Sequence, residues 1–483
     1  MITLKAFGKN DIRGVYGETV TEELFEKVGR AYVYYVKERL GKEKVTLSVV
    51  RDARLHSLPL AKAIIDGVLA AGGDVIDLGM GPTPFGYYSE FIETPYGSVD
   101  GALIITASHN PPEYNGLKMT CEKQSLHEEQ IKDVKNITQK VIDGEYADVD
   151  KKGDYHEFNM VDKYIEKQIE LFGTDKKDVK IVTDCANAAA GVVAPQMLKK
   201  CGYEVVELFT EPDGRFPNHH PNPSIESTLD TLKKTVIETG ADIGVAFDGD
   251  ADRIGVIDCD GNYLTGDKLL YIYSTDIISR FKNADKKPVI VSEVKCSQVL
   301  FDSLNKLGAE AVMCKTGHGY IKAKMKETDA IAAGEMSGHM FFKENWYGFD
   351  DAVYAASRIA ALVNKKKKEN KNFKLTKLLE PFNAVYTSAE VRFPCKDEMK
   401  KPVLAKIDEE IGKNPNFFGD EIKDIIRLDG LRIVFDGGFA MIRQSNTEPV
   451  FTLRFEGRNE EACNQYKKAM LDELERICKE MKA

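Results

Sequence analysis

The 483-residue chain has 43% hydrophobic and 30% charged residues, an ordinary globular composition too long for one core and sized for roughly three or four domains. Its 67 Lys and Arg against 77 Asp and Glu leave a net charge of −10, which argues against nucleic acid or an anionic membrane as the main partner. That balance still allows a small anionic ligand in a locally basic cleft. Met1–Asn10 lacks the apolar core of a signal peptide, and Ala61–Ala71 is too short to span a bilayer and is broken by Asp66. Nine scattered Cys without a Cys-x-x-Cys pair read as reduced thiols of a cytoplasmic protein.

In chain order, Val45–Val50 reads as a strand, Leu58–Ala71 as a helix, Asp74–Leu78 as a strand, and Ala102–Ile105 as a buried strand. The last of these leads into Thr106-Ala-Ser108-His109-Asn-Pro-Pro-Glu-Tyr-Asn-Gly-Leu-Lys118, a loop stiffened by two prolines. The same order recurs at Val179–Val182, Val192–Lys200, Glu204–Leu208 and Asp242–Phe247, ending in Asp248-Gly-Asp250-Ala-Asp252-Arg253. A third copy runs through Pro288–Val291, Gln298–Leu307, Ala309–Met313 and Asp329–Ala333, closing in Gly334-Glu335-Met336-Ser337-Gly338-His339. The lysine run Asn364–Asn372 is expected to be a solvated connector. Beyond it, strands near Ala389–Phe393, Leu431–Phe435, Ala440–Arg443 and Phe451–Glu456 precede a helix from about Glu460 to Met481.

The fold expected is α/β: three similar α/β units with mixed sheets plus a smaller C-terminal α+β domain, arranged around a central cleft. The boundaries expected are 1–153, 154–262, 263–372 and 373–483.

Ser108 stands at the C-terminal mouth of a strand, where open α/β sheets place ligands. It would carry an acyl or a phosphoryl group, and no Gly-x-Ser-x-Gly surrounds it to favour the former. His109 and Lys118 beside it suit proton handling or anion neutralisation. Asp248, Asp250 and Asp252 alternate, so in an extended segment their carboxylates share one side and suit a hard cation such as Mg²⁺. An EF-hand is excluded by Arg253 at position six and Cys259 at position twelve. Arg443-Gln-Ser445-Asn446-Thr447-Glu-Pro gathers the donors of a phosphate grip. Arg13, Lys295 and His318 supply further positive or titratable groups. Phe216-Pro-Asn-His219-His220-Pro is read as a proline-rich surface loop, because adjacent side chains of an extended segment point apart.

These four loops resemble, in order, the signature loops of the α-D-phosphohexomutases, and the resemblance covers essentially the whole chain. Gly334–His339 looks like the sugar loop of the phosphomannomutase/phosphoglucomutase branch; phosphoglucosamine mutases are similar but usually carry Gln where Met336 stands. The resemblance implies an isomerase that moves a phosphoryl group within a hexose phosphate through phosphoserine at Ser108. Mg²⁺ would bind Ser108, Asp248, Asp250 and Asp252, and a hexose 1,6-bisphosphate would act as activator. Arg13, His109, Lys118 and His318 would lie near the reacting groups. Glu335, Ser337 and His339 would face the sugar, joined by Arg253, Lys295, Thr316 and Gly317. Arg443, Ser445, Asn446 and Thr447 would hold the unreacting phosphate. The expected partner is a phosphosugar, with no nucleic acid or membrane, and the protein a monomer or homodimer. The chain departs from the pattern at Asn10, where bacterial relatives often show Tyr. A Mg²⁺-dependent phosphatase using Asp248 as nucleophile, and a non-catalytic sugar-phosphate sensor, are the competing readings.

Overall fold

The computed structural model describes residues 2–146, 149–281, 286–445 and 449–481. The chain divides into two compact units, Met1–Thr265 with Ser337–Lys374, and Gly266–Met336 with Leu375–Ala483.

The first unit holds two mixed sheets. In one, Thr46–Arg51 lies between parallel neighbours Asp74–Met80 and Gly101–Ile105, and Tyr155–Glu157 extends the parallel edge. Tyr114–Cys121 then returns antiparallel against Gly101–Ile105 and carries Ile12–Val15 on its far side. The double proline therefore ends a hairpin loop and not a long irregular excursion, and Lys118 is a strand residue facing inward. In the second sheet, Lys180–Asp184 pairs parallel with Glu204–Leu208 and Ile243–Phe247, followed by antiparallel Ile254–Asp258 and Tyr263–Leu264. Each sequence-read strand of the first two repeats is present, with ends shifted by at most two residues.

Helix Glu22–Leu40, which apolar patterning alone did not single out, packs on Ser57–Ala70. The close approach depends on two glycines: a Cβ on Gly29 would meet Ile64 O at 2.3 Å, and one on Gly67 would meet Glu26 O at 2.1 Å. The core beneath them includes Phe25, Tyr32, Leu47, Val49, Leu103 and Leu117, all essentially without solvent contact.

The lysine run is a correction to the sequence reading. Helix Ala352–Glu369 continues through it, so Lys366, Lys367 and Lys368 form its last turn. Positive side chains there favour the carbonyl end of the helix dipole, and Lys367 pairs with Asp242 at 2.7 Å.

In the second unit, Val289–Glu293 lies between parallel Glu310–Cys314 and Ala332–Gly334, with helices Gly266–Ser279, Gln298–Lys306 and His318–Thr328. The C-terminal sheet is antiparallel, in the order Tyr386–Thr387, Val450–Gly457, Gly438–Gln444, Leu431–Phe435, Asp424–Ile426, with Val391–Pro394 also on Val450–Gly457. Helices Asp397–Lys413 and Glu460–Met481 supply Val403, Ile407, Tyr466, Met470 and Leu474 to its core. Among the described residues, no helix is long and apolar enough to cross a membrane.

Candidate active site

In the first unit the chain leaves strand Gly101–Ile105 through Thr106 and Ala107 and reaches Ser108 in the left-handed region, φ 50°. A serine held there is strained by an amount on the order of 1–3 kcal/mol, so surrounding bonds must fix it. They do. Ser108 N–H donates to Thr106 Oγ1 at 2.8 Å, Thr106 Oγ1–H donates to Asp52 Oδ2 at 2.8 Å, and Ser108 O accepts from Arg54 Nη2 at 2.9 Å. The hydroxyl is then aimed: Ser108 Oγ donates to Asp248 Oδ2 at 2.7 Å, with His109 Nδ1 3.2 Å away.

Asp248, Asp250 and Asp252 are buried, and one carboxylate oxygen from each falls within a group no more than 4.8 Å across. They converge for a different reason from the one the sequence suggested. The segment is a tight turn, with Ala251 left-handed at φ 53°, and Asp252 N–H and Arg253 N–H both donate to Asp248 Oδ1. The turn folds the carboxylates inward where extended-strand alternation would only have lined them up. A Cβ on Gly249 would meet Ser108 O at 2.2 Å, so glycine lets the acidic turn touch the serine loop.

Lys118 sits among the acids, with Nζ 2.6 Å from Asp250 Oδ2 and also donating to Asp252 Oδ2. Burial disfavours the ammonium, but Asp250 and Asp252 outweigh it and hold the lysine pKa well above its usual value. Asp248 shows the opposite imbalance: burial, then Asp252 and Asp250, push its carboxyl well up. Burial likewise acts against the Asp252 carboxylate, yet Lys118 above all holds its pKa well down. His109 is kept neutral first by burial and then by Arg253 and Arg13. Asp250 Oδ1 is buried without a hydrogen-bond partner among the described residues. An all-oxygen donor set with such an orphaned oxygen fits a hard divalent cation.

Arg253 Nε donates to His339 Nε2 at 3.3 Å, and His339 Nδ1 lies 2.9 Å from Ser337 Oγ. Arg13 Nη1 donates to Asn110 Oδ1 at 3.0 Å and its guanidinium also pairs with Asp11. Thus Arg13, Ser108, His109, Lys118, the three aspartates, Arg253, Ser337 and His339 belong to one unit and are linked by these contacts.

The remaining candidates belong to the second unit. Gly317 N–H donates to Glu335 Oε1 at 2.6 Å, with Gly317 at φ 128°, a conformation suited to glycine, and His318 opens the helix that follows. Asp429 Oδ2 accepts from both Thr316 N–H at 3.1 Å and Arg443 Nε at 3.0 Å, tying those two candidates to one carboxylate. Lys295 Nζ lies 3.7 Å from Glu293 Oε1, and its own carbonyl accepts from Arg454 Nη1 at 2.6 Å. Ser445 N–H donates to Val450 O at 3.0 Å, and Ser445 O accepts from Lys400 Nζ at 2.9 Å; Asn446 and Thr447 lie outside the described residues.

Sequence reasoning missed Asp52, Arg54, Thr83, Glu293 and Asp429. Thr83 binds Asp250 twice, by N–H to O at 2.8 Å and by its hydroxyl to Oδ2. The available signal for the first two was position: Asp52-Ala-Arg54 directly follows strand Thr46–Arg51, at the same sheet end as Ser108. The proline-rich segment is a loop with Pro217 and Asn218 exposed, as read, but it is anchored. Phe216 is buried, and His219 Nε2 lies 3.0 Å from both oxygens of Asp184, so the segment is folded onto the protein.

Family models for phosphoglucomutase/phosphomannomutase match the chain in four consecutive pieces: α/β/α domain I over residues 4–144, domain II over 162–261, domain III over 265–381 and the C-terminal domain over 390–473. The chain belongs to the phosphoglucomutase/phosphomannomutase family. This family membership accounts for the four-domain α/β architecture. A phosphomannomutase/phosphoglucomutase of Pseudomonas aeruginosa is 36% identical over 476 residues, 98% of this chain and 96% of the relative. A phosphoglucomutase of Neisseria gonorrhoeae is 36% identical, covering 95% of each chain. The crystal structure of a phosphoglucomutase/phosphomannomutase family protein from Burkholderia thailandensis superposes with a TM-score of 0.86 at 34% identity, covering 99% of this chain and 98% of that one. The protein is a phosphohexomutase.

Proposed function

We propose that this phosphohexomutase interconverts hexose 1-phosphate and hexose 6-phosphate, of mannose, glucose or both, through phospho-Ser108 and a hexose 1,6-bisphosphate. The observation that carries the reading is Ser108 itself, strained, buried and aimed at an acidic triad that already contains an ammonium group. Gly-Glu-Met-Ser-Gly-His at 334–339 favours this branch over a phosphoglucosamine mutase.

In the forward direction the bond from phosphorus to Ser108 Oγ breaks as one forms to a free sugar hydroxyl, whose proton passes to a neighbouring base. The product is the bisphosphate. It reorients; the bond from its other phosphorus to the sugar oxygen breaks as one forms to Ser108 Oγ, whose proton, taken from Asp248 when the first phosphoryl group left, returns to Asp248 Oδ2 at 2.7 Å, and the freed sugar oxygen takes up the proton held by the neighbouring base. Asp248, Asp250, Asp252 and the Ser108 oxygen would hold Mg²⁺, which when bound would supply charge neutralisation at the phosphoryl group. Lys118 and Arg13 add positive charge, and Lys118 and His318 are the candidates for moving the sugar proton. The sugar hydroxyls are assigned to Glu335, Ser337 and His339, and further substrate contacts to Arg253, Lys295, Thr316 and Gly317. Arg443, Ser445, Asn446 and Thr447 grip the phosphate that is not transferred, and Asp429 bonding Arg443 through Nε orients that guanidinium. Hexose 1,6-bisphosphate activates by charging Ser108. The working domain limits remain 1–153, 154–262, 263–372 and 373–483. Nine free cysteines, seven of them buried, support a reducing compartment such as the cytoplasm.

The test is turnover of glucose 1-phosphate, mannose 1-phosphate and glucosamine 1-phosphate with Mg²⁺ and a bisphosphate primer, alongside intact-mass analysis of Ser108. Interconversion with phosphate on Ser108 is expected. Wild-type turnover by Ser108→Ala would overturn it.

A further inference from the structure

The Ser108 loop is organised around a side chain that no part of the catalytic reading uses. Arg54 is 2% exposed, and all five of its N–H donors are engaged. Nη2 donates to Ser108 O at 2.9 Å and Asn110 O at 2.6 Å, Nη1 to Pro111 O at 2.6 Å and Tyr114 O at 3.0 Å, and Nε to Asp52 Oδ2 at 3.1 Å. A single guanidinium thus gathers four main-chain carbonyls of a seven-residue stretch. Asp52, its counter-ion, also accepts from Thr106 Oγ1 and Ser57 Oγ, so the Thr106 bond to Ser108 N–H comes from the same network.

The other face of Arg54 is covered from the second sheet's loops. The Phe216 ring lies under the guanidinium, 5.2 Å from carbon to centroid, and Phe216 is itself left-handed at φ 50°. A Cβ on Gly214 would meet Ala53 O and Leu55 N at 2.5 Å, so the cover is applied directly to the Arg54 backbone. His219, held by Asp184, closes the same segment.

We propose that Arg54 is a positioning residue for phosphoryl transfer: by collecting the carbonyls of Ser108, Asn110, Pro111 and Tyr114 under a Phe216 cover, it holds Ser108 in its left-handed conformation with Oγ on the acidic triad. The proposal rests on the reading of Ser108 as the phosphoryl carrier. A planar fork is required because the four acceptors surround one plane; an ammonium has three donors at a single point. Misplacing the reacting oxygen by a fraction of an ångström slows transfer without changing how the sugar phosphate is gripped.

The experiment compares wild type, Arg54→Lys and Phe216→Leu in the full chain, measuring kcat and KM for hexose 1-phosphate and hydrogen exchange of amides between Thr106 and Gly116. Arg54→Lys is expected to lower kcat by about a hundredfold with KM changed less than about threefold, and to speed exchange in that segment. Phe216→Leu, the milder change that decides the matter if Arg54→Lys does not fold, is expected to lower kcat by about three- to tenfold with the same exchange signature. A kcat within twofold of wild type, or unchanged exchange in the loop, overturns the proposal. Absence of turnover in the wild type would instead sink the mutase reading, and the exchange data would then decide the role of Arg54 alone.

Discussion

At the residue scale the site is governed by charge balance. Three buried carboxylates within 4.8 Å of one another are tolerable here because Lys118 contributes a positive charge to two of them and Arg253 approaches the third at 3.9 Å. Lys118→Met removes that ammonium while keeping much of its volume. Stranding the acids should cost on the order of 3–5 kcal/mol. Mg²⁺ should then raise the melting temperature of the variant more than that of the wild type, because a divalent cation replaces the missing charge. Thermal unfolding with and without Mg²⁺ checks both parts; equal Mg²⁺ shifts in the two proteins would contradict the account. Asp429 is a second residue-scale case, since one of its oxygens serves both Thr316 N–H and Arg443 Nε. Asp429→Ala should release both, raising KM for the sugar phosphate by roughly tenfold, in keeping with the loss of charge-assisted hydrogen bonds. Steady-state kinetics with unchanged KM would argue against it.

At the element scale, what matters is how helix and strand ends are fixed. Helix Glu22–Leu40 begins at Thr21, whose side chain accepts from Leu24 N–H, and ends at left-handed Gly41. Thr21→Ala should cost about 1 kcal/mol, visible in denaturant unfolding. Glu90, at the end of helix Thr83–Ser89, reaches strand Tyr114–Cys121, where it accepts from Thr120 Oγ1, and also accepts from Lys123 N–H at 2.8 Å. Burial raises its pKa to about 7 despite those bonds. In the unfolded chain it ionises near 4.3. Between those two values the unfolded state releases the proton and the folded state keeps it, so stability falls as pH rises from about 4.5 to about 7 and levels off above. The total is on the order of 3 kcal/mol. Glu90→Gln should flatten that part of the stability profile, measured as denaturation midpoints from pH 4.5 to 8.

At the scale of the whole molecule, Lys118 and the turn hydrogen bonds hold the acid cluster, so the fold is expected to stand without a cation. Chelation should therefore abolish turnover while leaving far-UV circular dichroism unchanged, with a melting shift of a few degrees set by mass action. Wholesale unfolding on adding a chelator would contradict this. Much of the architecture was legible in the chain: three repeats of strand, helix and strand, each closing in a polar loop, followed by a smaller C-terminal α+β domain. That information is local, since apolar periodicity and polar strand ends are written within ten or so residues. That Ser108 follows a strand end and that three closely spaced aspartates are available to cluster was legible for the same reason. Lys118 as counter-ion to aspartates 132 and 134 residues away, Arg54 collecting carbonyls 54 to 60 residues on, and the burial of Phe216 over it were not. Those roles depend on which strand ends become neighbours in space and on what burial does to charge. The sequence alone determined which reactive groups the protein possesses; only the tertiary structure decided which of them share a low-dielectric site, and so which are charged, which are neutral and where the serine hydroxyl points.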